Sequence, residues 1–127
     1  MAYVCPECLT PGSLDITLSI QLPSDSRSDD IVVQTVECFH CRWRGAAVYE
    51  ESRRGALDSE AWDHSGYRIE KQALESLAEA IRRCPKPSST ECRCPTHRSL
   101  GQTDAQGRWL GLAGHGARDS FPMRLVP

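Results

Sequence analysis

Two Cys-x-x-Cys pairs constrain the fold of this chain more than any other feature of its sequence. The pairs are Cys5-Pro6-Glu7-Cys8 and Cys38-Phe39-His40-Cys41, with twenty-nine residues between them. Each such turn brings two thiolates together, and two turns supply the four ligands of a tetrahedral zinc ion. We therefore predict one metal site, site 1, formed by Cys5, Cys8, Cys38 and Cys41. A complete set of four ligands leaves no position for water or substrate, which favours a structural metal.

The sequence between and after these pairs is typical of β-strands. Apolar and polar residues alternate without interruption from Leu14 to Leu22, which predicts a strand with one buried face. Residues 31–37 are rich in β-branched side chains and predict a second strand, and residues 43–51 predict a third. The polar segment 23–29 contains turn-forming residues and predicts an exposed hairpin tip.

Residues 3–51 resemble the zinc-ribbon fold group. The resemblance implies a three-stranded antiparallel sheet with one ion held between two hairpin ends. The sequence departs from the commonest pattern because Leu9 and Arg42, not glycine, follow the second cysteine of each pair. Iron in a rubredoxin-like site uses the same four thiolates, so iron is an alternative at site 1.

The second half of the chain changes to helical spacing. Apolar residues recur at steps of three and four from Tyr67 to Arg83, which predicts one amphipathic helix with Ser65 as its amino-terminal cap. The preceding residues 52–66 are polar and without a period, and they predict a connector. Trp62 within this connector is expected to dock on the ribbon or on the helix.

A second group of metal-binding residues follows the predicted helix. Cys84, Cys92, Cys94 and His97 have the chemistry of a Cys₃His zinc shell, and we predict that they form site 2. In the alternative interpretation, Cys84 is the last buried residue of the helix and the other two cysteines are free thiols. Farther on, residues 108–112 and 121–126 predict a carboxy-terminal strand pair joined by a turn.

These elements predict a small α+β metal-stabilised fold with two zinc ions. The expected organisation is a zinc ribbon at 1–51, a connector at 52–66, and a helix with site 2 and a carboxy-terminal hairpin at 67–127, packed as one unit with the ribbon. Aromatic residues make up only 6% of the chain, so the hydrophobic core is thin and a metal is the expected supplement.

The cysteine content and the amino terminus favour a cytoplasmic protein. The first predicted ligand is Cys5, which leaves no room for an export signal before it, and no run of residues is apolar enough to span a membrane. In a reducing compartment the seven cysteines are expected to be metal ligands and not disulfides.

The motifs of common enzymes are missing from the sequence, which predicts a non-catalytic role. There is no phosphate-binding glycine loop, no H-E-x-x-H motif and no deaminase signature. The favoured interpretation is a protein-interaction or adaptor module with another protein as partner. A zinc-dependent hydrolase at site 2 is the least favoured alternative, because a catalytic zinc ion needs a vacant position.

Contact with nucleic acid is the other alternative, and the charge distribution decides where it would occur. Residues 1–64 carry eleven acidic and five basic residues, whereas residues 65–127 carry six acidic and ten basic residues. The acidic first half therefore disfavours broad, charge-driven binding to nucleic acid, although Arg42 and Arg44 beside Trp43 are a minor alternative there. The candidate residues form a basic patch around site 2, opposed in the sequence only by Glu91: Arg82, Arg83, Lys86, Arg93 and Arg98.

Overall fold

An antiparallel sheet dominates the structure, a computed structural model that describes residues 2–53 and 61–125. Within these ranges each strand pairs with the next one along the chain, so the sheet is a five-stranded meander. The strands are β1 (Leu14–Leu22), β2 (Asp30–Cys38), β3 (Arg44–Ser52), β4 (Ala61–Ile69) and β5 (Ala117–Pro122). The three strands of the predicted ribbon are therefore the first part of a larger sheet.

Two α-helices, α1 (Lys71–Arg83) and α2 (Pro95–Leu100), lie between β4 and β5 in the chain. A short 3-10 turn at Ala113–His115 follows them. The buried residues of α1 recur at three- and four-residue steps, so one apolar stripe of the helix faces the core: Leu74, Leu77, Ala78 and Ile81. Among the described residues, no helix has the length and apolar character needed to cross a bilayer.

The helices and one face of the sheet enclose the first core cluster. Its buried members are Ile20, Leu22, Ile31, Val33, Ala46, Val48, Leu77, Ile81, Cys84, Leu100, Trp109 and Leu112. The indole N–H of Trp109 donates to the carbonyl oxygen of Leu100 at 2.6 Å, so the one polar group of this ring is satisfied. Because Cys84 belongs to this cluster, the core is continuous with site 2.

A bulge in β1 moves its apolar residues from one face of the sheet to the other. The pairing with β2 shifts between Ile16 and Leu18, which makes Thr17 the extra residue. Leu14 and Ile16 pack in the second core cluster, whereas Leu18 and Ile20 pack in the first. The prediction of a single buried face was wrong, because an inserted residue reverses the alternation of side chains.

The opposite face of the sheet carries the second core cluster: Tyr3, Cys5, Leu14, Val36, Cys38, Ala47 and Met123. Beside it, two aromatic rings lie over glycines. A Cβ atom added at Gly45 would come within 2.5 Å of the Trp43 ring. A Cβ atom added at Gly66 would overlap the ring of its cross-strand partner Phe121. The Trp43 and Phe121 rings meet edge to face with their centroids 5.6 Å apart, so the glycines make room for this aromatic pair.

The loop between β1 and β2 is organised around a buried carboxylate. The side chain of Asp25 is 1% exposed. It accepts hydrogen bonds from the backbone N–H groups of Arg27, Ser28 and Trp109 at 2.6–2.8 Å and from the guanidinium of Arg108 at 2.7 Å. Burial alone would raise the pKa of Asp25, but these bonds outweigh it and hold the pKa well below its usual range. The predicted hairpin tip is exposed at Pro23, Ser24, Ser26 and Arg27, and Asp25 connects it to the carboxy-terminal part of the chain.

β4 occupies residues that the sequence predicted as a connector and as the start of the helix. Ala61–Ile69 pairs with β3, and α1 begins at Lys71 instead of Tyr67. Tyr67 and Ile69 pack against the first core cluster with the two-residue spacing of a strand. Ile69 also lies four residues before Ala73, so the sequence placed it on the apolar stripe of the helix. Residues 54–60 of the predicted connector lie outside the described residues.

The predicted carboxy-terminal strand pair does not form, because the last strand pairs with β4. Residues 108–112 form no strand and make a single bridge, between Trp109 and Thr103. β5 begins inside the predicted turn and pairs with β4, where Phe121 packs over Gly66. Leu125 forms a bridge with Tyr3, and residue 126 of the predicted last strand lies outside the described residues. The carboxy-terminal segment therefore extends the main sheet.

Candidate metal centres

Site 1 brings together the cysteines of the two Cys-x-x-Cys turns. The four sulfur atoms all lie within 4.8 Å of one another. The Sγ atoms of Cys5 and Cys41 are 3.7 Å apart, and so are those of Cys8 and Cys38. Four sulfurs bound at about 2.3 Å to a tetrahedral ion stand about 3.8 Å from one another, so the cluster fits one metal ion at its centre. A disulfide requires about 2.05 Å, and all four cysteines are free thiols.

Backbone N–H groups of both turns form hydrogen bonds with the cysteine sulfurs. The N–H groups of Glu7 and His40 donate to the Sγ atoms of Cys5 and Cys38, each at 3.4 Å. Leu9 and Arg42, which follow the turns, have φ angles of 59° and 70°. Two non-glycine residues therefore hold the left-handed conformation that favours glycine, which strains the backbone.

The environments of the site 1 thiols shift their pKa values in different directions. Burial raises the pKa of Cys5, whereas hydrogen bonds with the side chain and backbone of Thr10 lower the pKa of Cys8 to about 5. Thiolates separated by 3.7 Å repel one another, so all four can be charged together only beside a cation. A bound divalent ion would supply that charge and keep every sulfur deprotonated.

Site 2 gathers Cys84, Cys92, Cys94 and His97, whose ligand atoms also lie within 4.8 Å of one another. The Nδ1 atom of His97 is 3.2 Å from the Sγ of Cys84 and 3.4 Å from that of Cys94. On the other side of the ring, Nε2 lies 2.9 Å from the carbonyl oxygen of Gln21 in β1. Because a carbonyl only accepts, Nε2 carries the proton and Nδ1 keeps the lone pair that a metal needs.

The ends of the two helices position the ligands of site 2. Cys84 is the residue at which α1 ends, and Cys94 caps the start of α2, where its sulfur accepts from the N–H of His97 at 3.4 Å. The hydroxyl of Thr96 donates to the carbonyl oxygen of Ala80 at 2.7 Å and fastens α2 to α1. Through His97 and its bond to β1, site 2 connects both helices to the sheet.

The residues of the predicted basic patch lie within two positions of the site 2 ligands in the chain. All five of its members are exposed: Arg82, Arg83, Lys86, Arg93 and Arg98. Glu79 lies 3.1 Å from Arg83 and 3.9 Å from Arg82, so the patch has a counter-charge besides the predicted Glu91. This carboxylate was not counted from the sequence because it belongs to the preceding turn of the helix.

Several supporting residues were missed by reasoning from the sequence. The Oγ1 of Thr10 lies 3.3 Å from the Sγ of Cys8, and the Oγ of Ser13 lies 3.3 Å from the Sγ of Cys38. Two hydroxyl residues soon after a Cys-x-x-Cys turn are a signal that could have indicated them. Gln21 contributes only a backbone carbonyl to site 2, so its side chain carries no such signal.

Comparison of the chain with protein-family models, with curated proteins and with solved structures found no match. The class of this protein therefore follows from its own architecture and ligand sets. It is a small α+β chain with an antiparallel sheet and two Cys/His clusters, each of which could hold a metal ion.

Proposed function

We propose that this protein is a non-catalytic protein-interaction or adaptor module that contains two structural zinc ions. The observation that carries the proposal is that each cluster offers four protein ligands, the complete shell of a tetrahedral zinc ion. A zinc-dependent hydrolase at site 2 would require one of these ligands to leave, since catalytic zinc keeps a position for water. Iron is the alternative at site 1, because its bond lengths to four thiolates are similar.

Metal content tests this proposal directly. Protein purified without added metal should contain two zinc ions per chain by elemental analysis and by native mass spectrometry. Cys8→Ser and Cys94→Ser should each lose one ion and retain the other, whereas Arg53→Ala should retain both. A compact chain without bound metal would overturn the proposal. Iron at site 1 would be recognised by the visible absorption of a ferric tetrathiolate, and would change only the identity of that ion.

Exposed apolar side chains on the two turns of site 1 support a protein partner. Leu9 is 69% exposed and Phe39 is 59% exposed. Leu9 directly follows one of the turns whose sulfurs converge and Phe39 lies within the other, so a bound ion would fix one side chain relative to the other. Pre-positioned apolar side chains lose little conformational freedom on binding, and aromatic rings are enriched at protein interfaces. We therefore place the partner surface at this end of the sheet.

Photo-crosslinking tests this surface. A photoreactive phenylalanine analogue at the position of Phe39 should give an adduct with one discrete protein in the native cell, and Leu9→Asp should reduce the adduct at least tenfold. The same analogue at Ser120, which is exposed on β5, is the control and should not form this adduct. Identical adducts from both positions, or none from Phe39, would count against the surface.

The exposure of the basic patch supports a second candidate function, contact with nucleic acid beside site 2. Binding that depends on phosphate contacts weakens steeply as salt concentration rises. Binding to DNA and RNA oligonucleotides should therefore be measured over a salt series. The double change Lys86→Glu and Arg98→Glu should remove binding, and Arg118→Glu on β5 should not. The absence of binding at low salt would exclude this function.

A further inference from the structure

An open cavity lies on the sheet face opposite α1, beyond the second core cluster. Its volume is about 560 Å³, within the range of about 300–1,000 Å³ that is typical of small-molecule sites. We call it the tyrosine cavity. It is lined by Tyr3, Gln34, Tyr49, Trp62, His64, Met123 and Leu125. Most of these side chains are apolar or aromatic and only two carry amide or imidazole groups, which is the usual composition of a ligand pocket.

Strand register explains why these side chains meet. Tyr49 in β3 is paired with His64 in β4, and Glu51 is paired with Trp62 two residues away, so these side chains project from the same face. The His64 ring lies edge to face with Tyr3 and with Tyr49, at centroid distances of 5.2 and 5.6 Å. The aromatic lining is therefore held by the sheet itself, and a ligand would enter a preformed site.

The floor of the cavity holds a buried amide with a free donor. Gln34 is only 8% exposed, and its Oε1 accepts a hydrogen bond from Nε2 of His64 at 2.7 Å. The amide nitrogen of Gln34 has no hydrogen-bond partner among the described residues. No fully buried side-chain nitrogen or oxygen of these residues lacks a partner, so this nitrogen must reach the cavity surface. A donor on a nearly buried side chain points to a ligand that accepts.

His64 supplies the complementary acceptor. Because its Nε2 donates to Gln34, its Nδ1 is an unprotonated acceptor. Burial lowers the pKa of His64 against the opposing effect of Asp63, so the ring is neutral at pH 7. The linked pair therefore provides one donor and one acceptor from two residues that line the cavity, and it carries no charge.

The other residues that line the cavity determine which ligand could reach Gln34 and His64. Trp62 is 66% exposed, although the sequence predicted that it would dock within the fold, and its ring is free to stack on a planar ligand. None of the described residues that line the cavity has a charged side chain. A charged ligand would lose its hydration there without gaining a counter-charge from these residues, so a neutral ligand is favoured.

We infer that the tyrosine cavity binds a neutral aromatic heterocycle with adjacent carbonyl and N–H groups, as in uracil, guanine and hypoxanthine. The carbonyl accepts from the amide of Gln34, the N–H donates to Nδ1 of His64, and the ring stacks on Trp62. This site is distinct from both metal centres and does not depend on the proposed function.

A nuclear magnetic resonance titration of the metal-loaded, isotope-labelled chain with uracil tests the inference. Uracil should shift the side-chain amide signals of Gln34 and the indole signal of Trp62. Two matched probes test separately the effect of charge and the effect of the carbonyl group. Orotate, which is uracil with a carboxylate, and indole, which has no carbonyl, should each bind at least tenfold more weakly. The inference is overturned if uracil and inosine cause no shifts at millimolar concentration, or if indole and orotate bind as well as uracil.

Three variants complete the test. Trp62→Ala should weaken uracil binding about tenfold through lost stacking, and Gln34→Met should weaken it similarly while keeping the volume of the side chain. Leu110→Ala removes another large, exposed apolar side chain that does not line the cavity, and it should leave binding unchanged. Equal effects of all three variants would show that no defined site exists. The amide spectrum of each variant verifies its fold independently of binding.

Free heterocycles and single-stranded nucleic acid both carry this ring, and one comparison distinguishes them. If a short oligouridylate binds more than tenfold more tightly than uridine and loses affinity with salt, the ring comes from a strand. If the two bind equally, the site recognises a free base or nucleoside. Both outcomes support the ring chemistry, and failure of uridine and oligouridylate alike would contradict it.

Discussion

Leu9 and Arg42 show how single residues adapt a metal-binding turn that lacks glycine. Both keep positive φ angles, 59° and 70°, although each has a Cβ atom that crowds the backbone in this conformation. Such strain costs of order 1–3 kcal/mol at each residue and persists only where the surroundings enforce it. Convergence of four ligands on one bound ion would be such a constraint, and it would link this strain to metal binding.

Relief of the strain at Arg42 should stabilise the protein. Arg42 is exposed, so Arg42→Gly removes little packing and should raise the free energy of unfolding of the metal-loaded chain by about 1 kcal/mol. Urea-induced unfolding at constant metal concentration measures the change. Arg118→Gly is the control. Its position in β5 lacks a positive φ, so glycine there should destabilise. Destabilisation by both changes would contradict the strain argument.

Substitution of Asp25 should destabilise the protein more than substitution of an exposed polar residue. Asp25→Ala would leave the backbone donors of Ser28 and Trp109 without their partner and should lower the free energy of unfolding by about 3 kcal/mol. Asp15→Ala, an exposed position on β1, should change it by less than about 0.5 kcal/mol. Thermal or urea unfolding compares the two, and equal effects would show that the buried bonds contribute nothing specific.

The lowered pKa of Asp25 also gives this stabilisation a definite dependence on pH. Because the folded pKa lies below the unfolded value of about 3.9, the contribution is complete above that pH. It is lost as the pH falls through the folded value. The stability difference between the wild-type chain and Asp25→Asn should therefore be constant between pH 6 and 8, where denaturant titrations can measure it with the metals bound.

At the level of elements, the attachment of β5 depends on a glycine. Gly66→Ala would drive a methyl group into the Phe121 ring and should destabilise the chain by about 2 kcal/mol. Gly114→Ala, which meets no atom within 4 Å, should be nearly neutral. In a Phe121→Ala background the Gly66→Ala change should lose most of its effect, because the clash is gone. Equal losses in both backgrounds, measured by urea unfolding, would exclude this contact as the cause.

Helices and strands could be predicted where the spacing of their own apolar side chains has the period of that element. β1, β2 and β3 have apolar spacing that the sequence displays, and α1 has a stripe of three- and four-residue steps. β4 could not be predicted, because only one of its nine positions is buried, so its side chains show no clear alternation. The bulge at Thr17 was equally hidden, since alternation looks the same whether or not a residue is inserted.

The candidate ligands could be predicted for a different reason. The thiolates of a Cys-x-x-Cys pair are close in sequence, so local geometry already brings two sulfurs together. The cavity could not be predicted in this way, because Tyr3, Gln34 and His64 come from three separate segments that meet only through the register of the sheet. The exposure of Trp62 was also missed, because a sequence does not say which face of a sheet stays uncovered.

Across the described part of the molecule, each candidate metal centre belongs to a different core cluster. Cys5 and Cys38 are buried members of the second cluster, and Cys84 is a buried member of the first. Because aromatic residues make up only 6% of the chain, each cluster buries little apolar surface. A metal ion bound by four ligands would therefore replace part of the hydrophobic stabilisation that a larger domain supplies.

Loss of one ion should therefore speed amide hydrogen exchange in one core cluster more than in the other. Cys8→Ser removes a ligand of site 1 and should speed amide hydrogen exchange at Tyr3 and Val36, while Leu77 in α1 stays protected. Cys94→Ser should reverse this pattern, because His97 would lose the ion that connects the helices to β1. Hydrogen exchange followed by mass spectrometry or nuclear magnetic resonance resolves the two clusters under native conditions. If either substitution removed protection equally from both, the sheet shared by the clusters would be transmitting the loss, and the two ions would stabilise a single cooperative unit.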